Sequence, residues 1–296
     1  MSPEAFDAWT RSELAAVEDA LSAWVPADAP AGLGAAMRYG VLDGGKRLRP
    51  LLVMAAAQAL DGSRAAALRA AVAVELIHAY SLVHDDMPCM DNDVLRRGKP
   101  TVHVQFGQAQ AMLAGDAMQA LAFEVLTPDE GVEPALQARL VALLARAAGH
   151  DGMAGGQAID LASIGRALDE QALRDMHRRK TGALLRASVL MGAACGRCSS
   201  VCLQALGDYG AAVGLAFQVV DDILDVTQAS DKLGKTAGKD SDANKPTYVS
   251  VLGLEAARAH ARTLRLQAHA ALAASGLGGG AAVLATLADR VVEREH

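Results

Sequence analysis

Two tight groups of carboxylates dominate the chemistry this sequence could do. The first is Asp85-Asp86-Met87-Pro88-Cys89-Met90-Asp91-Asn92-Asp93, with Arg96 and Arg97 directly after it. The second is Asp221-Asp222-Ile223-Leu224-Asp225, more than a hundred residues further on. Each closes a strongly apolar stretch, 71–83 and 211–220. Carboxylates at half-buried positions repel one another and lose hydration, so a cation must compensate them. Paired hard oxygens suit Mg²⁺, which takes one or two carboxylates and completes its shell with water and phosphate oxygens. The spacing predicts a magnesium-diphosphate site between two helix ends.

Basic segments stand where such a site would need them. In Gly44-Gly45-Lys46-Arg47-Leu48-Arg49-Pro50, two glycines allow close backbone approach and Pro50 suits the first turn of a helix. Three cations at that helix start predict an anion site, and a solvated basic turn reads equally well on spacing alone. Arg96-Arg97-Gly98-Lys99 repeats the theme beside the first acidic group. A diphosphate bridged by metal on one side and arginine on the other fits both. Lys180-Thr181-Gly182 interrupts an amphipathic helix, and Lys235 and Lys245 lie in a Gly- and Asp-rich loop able to act as a flap over phosphate. Each lysine alone reads as well as a solvated one. Gln218, Asp221 or Asp222, and Asp225 recur at helical spacing and share a face. Like charges so placed destabilise a bare helix by about 0.2–0.5 kcal/mol, which a bound cation explains better than stability does.

Helical periodicity recurs along the whole chain. It predicts helices over 4–25, 32–42, 50–60, 64–86, 101–126, 133–163, 169–196, 200–227, 246–275 and 278–294. The helix carrying Glu75, His78, Tyr80, Ser81 and His84 must stop near Asp85, because Pro88 lacks an N–H and would clash with the His84 carbonyl. That sets Asp85 and Asp86 at the negative end of a helix dipole, where cations are favoured. The long connections, 87–100 and 228–245, each follow an acidic group. One all-α domain over 1–296, a helical bundle around a central cavity, is the economical expectation.

Composition narrows the classes. Hydrophobic residues make up 52% of the 296, enough for a large core, and aromatics only 3%, with few alternating β-branched runs. The 28 basic and 34 acidic residues give −6, which points away from nucleic acid. No apolar run approaches the roughly 18 residues of a bilayer span, so stable membrane insertion is not expected. The opening Met1-Ser2-Pro3-Glu4 lacks a charged-then-apolar signal segment, and a cytoplasmic location is expected. Cys89, Cys195, Cys198 and Cys202 have no nearby His at zinc-site spacing and read as reduced thiols. The Gly234-Lys235-Thr236 triplet has Ala229 where a nucleotide-binding loop requires its first glycine.

The motifs GGKRLRP (44–50), HDDMPCMDNDVLRRGKPT (84–101), GGQAIDL (155–161), KTG (180–182), FQVVDDILD (217–225) and NKPTY (244–248) fall in the order and spacing of trans-prenyltransferases. Over about 32–252 the chain resembles the polyprenyl synthase family, and within it the bacterial farnesyl diphosphate synthases. The resemblance implies an all-α homodimer that condenses isopentenyl diphosphate with an allylic diphosphate. It implies Mg²⁺ as cofactor, three ions with substrate bound and Mn²⁺ able to substitute. Asp85, Asp86, Asp91, Asp221, Asp222 and Asp225 would be the metal ligands. Arg96, Lys180, Lys235 and Lys245 would hold the allylic diphosphate; Lys46, Arg49, His78 and Arg97 the isopentenyl diphosphate. Lys180, Thr181 and Gln218 would serve the reacting centre. Tyr80, five residues before the first aspartate and followed by Ser81, would floor the product pocket, roughly 7 Å back along the helix. An aromatic there implies a fifteen-carbon product, with a geranylgeranyl or geranyl product as the alternative. The family pattern departs at Asn92, where relatives often carry Asp, and at Cys89 in the widened motif.

Rival readings lose specific support. Regulatory subunits that resemble the family lose an acidic motif, and both are intact here. A calcium-binding hand needs a central Gly and closing Glu that are missing. Terpene cyclases resemble these enzymes but usually lack the GGKRLRP loop, having no second diphosphate to bind.

Overall fold

A computed structural model describes residues 1–42, 44–166, 168–227 and 246–294. In chain order the helices are α1 (Pro3–Trp24), α2 (Leu33–Val41), α3 (Leu48–Gln58), α4 (Arg64–Asp85), α5 (Val102–Phe106), α6 (Gln108–Leu126), α7 (Pro134–Ala148) and α8 (Met153–Ala162). They continue as α9 (Glu170–His177), a π-helical turn (Arg178–Gly182), α10 (Ala183–Ala194), α11 (Ser200–Thr227), α12 (Tyr248–Leu252), α13 (Leu254–Ala274) and α14 (Ala282–Val292). Among the described residues the only strands are β1 (Leu95–Arg96) and β2 (Lys99–Pro100), a two-stranded antiparallel ribbon just after the first acidic group.

Helix starts follow local chemistry. Ser63 Oγ accepts from Ala66 N at 3.3 Å to begin α4, and Asp169 Oδ1 accepts from Ala172 N at 2.8 Å to begin α9. Such caps contribute on the order of 1 kcal/mol each. Four expected helices are divided. Gly107 (φ 89) separates α5 from α6 and Gly253 (φ 84) separates α12 from α13, backbone states that glycine reaches without a Cβ clash. A turn at Gly149–Gly152 splits the 133–163 stretch, and the π turn replaces regular α-helix inside 169–196. Apolar spacing runs on through each break, which is why the sequence reads as continuous.

Two buried clusters form the core. One gathers α2, α4, α6 and α7 around side chains such as Leu76, Ile77, Met118 and Leu144. The other gathers α11, α13 and α14 around Leu206, Tyr209, Leu264 and Leu284. Burial of each such side chain contributes about 1.5–3 kcal/mol. Helices α4 and α11 are, against expectation, long and apolar enough to cross a bilayer by length and composition. Their apolar windows are 72% and 61% buried inside the bundle, so their hydropathy is that of core helices enclosed on most sides. These two helices deliver the acidic groups, because each ends at one.

Candidate active site

Helix α4 ends at Asp85, and Asp86 is its C-cap. Asp85 lines a cavity of about 360 Å³ together with Arg49, His78, Lys180 and Thr181. Burial pushes its carboxyl up to about 6; Lys180 opposes that shift and the charge of Asp91 adds to it. Asp91 is held close, its N–H donating to the Asp85 carbonyl at 2.9 Å. A carboxylate so raised marks negative charge that the protein leaves undercompensated. Asp86 is different. It is 2% exposed, and Arg96 clamps both its oxygens, Nε at 2.8 Å from Oδ2 and Nη2 at 2.5 Å from Oδ1.

The basic residues separate by direction. Arg47, one of the three cations expected to bind an anion, turns inward instead. It is 5% exposed, pairs with Glu18 and Glu75 at 2.7 Å each, and donates to the Val41 carbonyl at 2.6 Å. Arg49 faces the cavity, is 9% exposed, and has an Nε with no partner among the described residues. An orphaned buried guanidinium N–H suits an anionic guest. His78 beside it is held well below its ordinary value, first by burial and then by Arg49, Arg97, Arg96 and Arg47. Its imidazole is therefore neutral. Arg97 reaches back to the Gly44 carbonyl and joins the ribbon to the Gly44-Gly45 loop. Burial and Arg294 lower the Lys46 ammonium, while Asp221 favours its charge.

Lys180 sits within the π turn and pairs with Asp160 Oδ2 at 2.5 Å. Asp160 is 4% exposed on α8. The sequence reading gave it no role, although it lies one helical turn after Gly156, on the same face. A Cβ on Gly156 would stand 2.1 Å from the Lys180 N, so only glycine lets α8 touch the π turn there.

From the π turn, Thr181 Oγ donates to Gln218 Oε1 on α11 at 3.0 Å, and Gln218 Nε2 donates to Asp222 Oδ1 at 2.8 Å. Asp222 Oδ2 accepts from the Tyr248 N–H at 2.7 Å, which ties α11 to the start of α12. Both Asp222 oxygens accept from protein donors and the side chain is 2% exposed, so its carboxylate links Gln218 on α11 to the start of α12. Asp221 is half-buried on the side of Lys46 and Arg294, and Asp225 is buried. The second acidic helix end is thus joined through Gln218 to Thr181 of the π turn, which lines the same cavity as Asp85. Lys235 and Lys245 lie outside the described residues.

Tyr80 and Ser81 both line the cavity. Tyr80 packs edge-on to His84, ring centroids 5.7 Å apart, and His84 Nε2 lies 3.0 Å from the Met112 carbonyl. Ser81 Oγ donates to the His78 carbonyl at 2.8 Å, so its hydroxyl is tied to its own helix. Among the described residues no three His, Cys, Asp or Glu side chains cluster tightly enough to hold a metal alone. Paired carboxylates at two separate helix ends are a hard-oxygen donor set whose chemistry fits Mg²⁺ with phosphate oxygens completing its shell.

Comparison with known proteins defines the class. The polyprenyl synthetase family model matches residues 30–273. The chain is 48% identical to the heterodimeric geranylgeranyl pyrophosphate synthase large subunit 1, chloroplastic, of Arabidopsis thaliana, over 88% of this chain and 71% of that one. It is 46% identical to the farnesyl diphosphate synthase of Geobacillus stearothermophilus, over 82% of this chain and 83% of that one. A geranyltransferase from Helicobacter pylori, solved with magnesium and isoprenyl diphosphate, superimposes with a TM-score of 0.85 at 33% identity, over 99% and 97% of the two chains. The fold is therefore the all-α fold of the trans-prenyltransferases. The chain belongs to the polyprenyl synthetase family.

Proposed function

We propose that the chain joins isopentenyl diphosphate head to tail to dimethylallyl and then geranyl diphosphate, and releases farnesyl diphosphate. The observation that carries this reading is one cavity lined by Asp85, Lys180, Arg49 and His78 together with Tyr80 and apolar side chains such as Leu82, Met153 and Leu161. Asp85 and Asp91 from one helix end, with Asp221 and Asp225 from the other, would hold Mg²⁺ where the allylic diphosphate binds. Bound there, Mg²⁺ supplies charge stabilisation as the C–O bond breaks and its electrons pass to the departing diphosphate. Lys180 and Arg96, with Lys235 and Lys245, hold the same diphosphate. Asp160 orients Lys180, and Asp86 keeps Arg96 in place until substrate arrives.

Lys46, Arg49, His78 and Arg97 hold isopentenyl diphosphate; a neutral His78 donates an N–H without burying another charge. The fixed double bond then attacks the allylic cation, a C–C bond forms, and a proton leaves to the released diphosphate. Apolar walls exclude the water that would quench the cation. No side chain is nominated as base. The exposed apolar residues Val104, Met112 and Leu113 on α5 and α6 are proposed to be covered by a second copy, as a homodimer. The whole chain acts as one synthase domain.

The test is incubation with isopentenyl diphosphate and each allylic starter, with Mg²⁺, with Mn²⁺ and with chelator, reading product length. Expected is a fifteen-carbon product that requires metal. Absence of condensation with every starter overturns the reading. A twenty-carbon product selects the geranylgeranyl alternative, which the resemblance to the Arabidopsis thaliana chain favours.

A further inference from the structure

On the other side of the π turn from the catalytic cavity lies a larger groove of about 570 Å³, between α7, α10, α11 and α13. Its floor is apolar and deep because the side chains are short: Ala183 and Ala187 on α10 face Ala211 and Ala212 on α11, with Leu215 and Leu264 beyond. Arg146, Arg174, Arg178, Arg179 and Arg186 stand around it, against Asp151 and Asp208. In a chain of net charge −6, five arginines in one place form a local field of the opposite sign. Three of them are already engaged. Arg178 and Arg179 pair with Asp175 at 2.6 and 3.0 Å, Arg179 also pairs with Asp151, and Arg186 Nε donates to the Gly207 carbonyl at 3.2 Å. Arg146 and Arg174 are exposed at the rim.

We propose that this groove binds a single-tailed amphiphilic phosphate, namely the prenyl diphosphate product, and that its occupancy slows turnover; the inference rests on the function proposed above. Guanidinium groups match phosphate oxygens in pairs, and an apolar trough of short side chains admits one slim hydrocarbon chain. The groove has the size of a site for a single small ligand. Nucleic acid would meet no aromatic platform there, because no Phe, Tyr or Trp lines it. The link to catalysis is covalent. Within five residues of the π turn, Arg178, Arg179 and Gly182 line the groove while Lys180 and Thr181 line the catalytic cavity. A diphosphate that draws Arg178 and Arg179 from Asp175 and Asp151 shifts the turn that aims Lys180.

Calorimetric titration with farnesyl diphosphate in EDTA, where the metal-dependent site cannot hold it firmly, tests the groove directly. The intact chain is expected to bind. The Arg146→Glu/Arg174→Glu variant, and separately Ala211→Trp filling the trough, are expected to bind at least tenfold more weakly. Inorganic diphosphate, lacking a tail, and farnesol, lacking a head, are each expected to bind at least tenfold more weakly than farnesyl diphosphate. With both substrates and Mg²⁺ saturating, added farnesyl diphosphate should slow the intact chain and leave both variants, whose basal rate is unchanged, unaffected. Equal binding by the intact chain and both variants, no binding at all in EDTA, or inorganic diphosphate binding as well as the full ligand overturns the proposal. So does sedimentation with phosphatidylglycerol vesicles without binding of monomeric farnesyl diphosphate. If binding maps to the groove but no condensation occurs with any starter, the catalytic reading fails while the groove stands.

Discussion

Asp85 is where pH and metal meet. Its folded value of about 6 lies above the ordinary 3.8, so the metal-free protein keeps this proton over that window. The stability it contributes is present at low pH and lost as pH rises through about 6, and a bound cation restores it. Below about 6 the proton competes with the ion. The Mg²⁺ concentration for half-maximal rate should therefore rise about tenfold per pH unit between 5.5 and 4.5, and vary little between 7 and 8. Activity titrations at those pH values check this; a flat requirement would remove Asp85 from the ligand set. Tyr80 carries the other residue-level expectation. Tyr80→Ala should release products of twenty carbons or more in a product-length assay, and a variant that still stops at fifteen shows that the floor lies elsewhere.

At the level of elements, the contact between α8 and the π turn decides where Lys180 points. Gly156→Ala should push the turn away, since the added carbon would stand 2.1 Å from the Lys180 N. Expected is a fall in kcat of at least tenfold with far-UV circular dichroism unchanged; an unaltered kcat would mean the turn tolerates displacement. Element positions were largely readable, because apolar periodicity and the stop imposed by Pro88 are local signals. The breaks were not. Gly107 and Gly253 sit in otherwise periodic stretches, and nothing local distinguishes a glycine at positive φ from one inside a helix. The inward turn of Arg47 was equally hidden, since its partners Glu18 and Glu75 are 29 and 28 residues away in sequence. Residue type announced the acidic helix ends and the basic loops, whereas the bond from the Tyr248 N–H to Asp222 joins neighbours only in space.

For the molecule as a whole, acid stability should depend on His177. It is 6% exposed, stacks on Tyr248 at 5.4 Å, and burial lowers it to about 4 from 6.5. The neutral form is the folded form. The unfolded chain takes up this proton first, so stability is full above 6.5 and falls as pH drops toward 4, by roughly 3 kcal/mol in total. Urea midpoints between pH 7 and 4 should fall less steeply in His177→Leu than in the parent; parallel curves would show that His177 does not titrate with unfolding. The groove behind the π turn belongs to this scale too. It exists only because α10 and α11 place short side chains opposite one another, a pairing no single segment displays.

The run from Thr181 through Gln218 to Asp222 can be wired in only one sense. An ionised carboxylate has no hydrogen to give, so the Gln218 amide must turn its NH₂ toward Asp222 and its oxygen toward Thr181. Thr181 must then spend its single proton on that oxygen, and the lone pairs of its hydroxyl are what it has left to show the cavity it lines. The chamber wall at that point is a fixed electron-rich spot, suited to a positive carbon and indifferent to a neutral one. Replacing Asp222 by Asn would let the whole series run backwards, once the Gln218 amide turns over to exchange its oxygen and its NH₂.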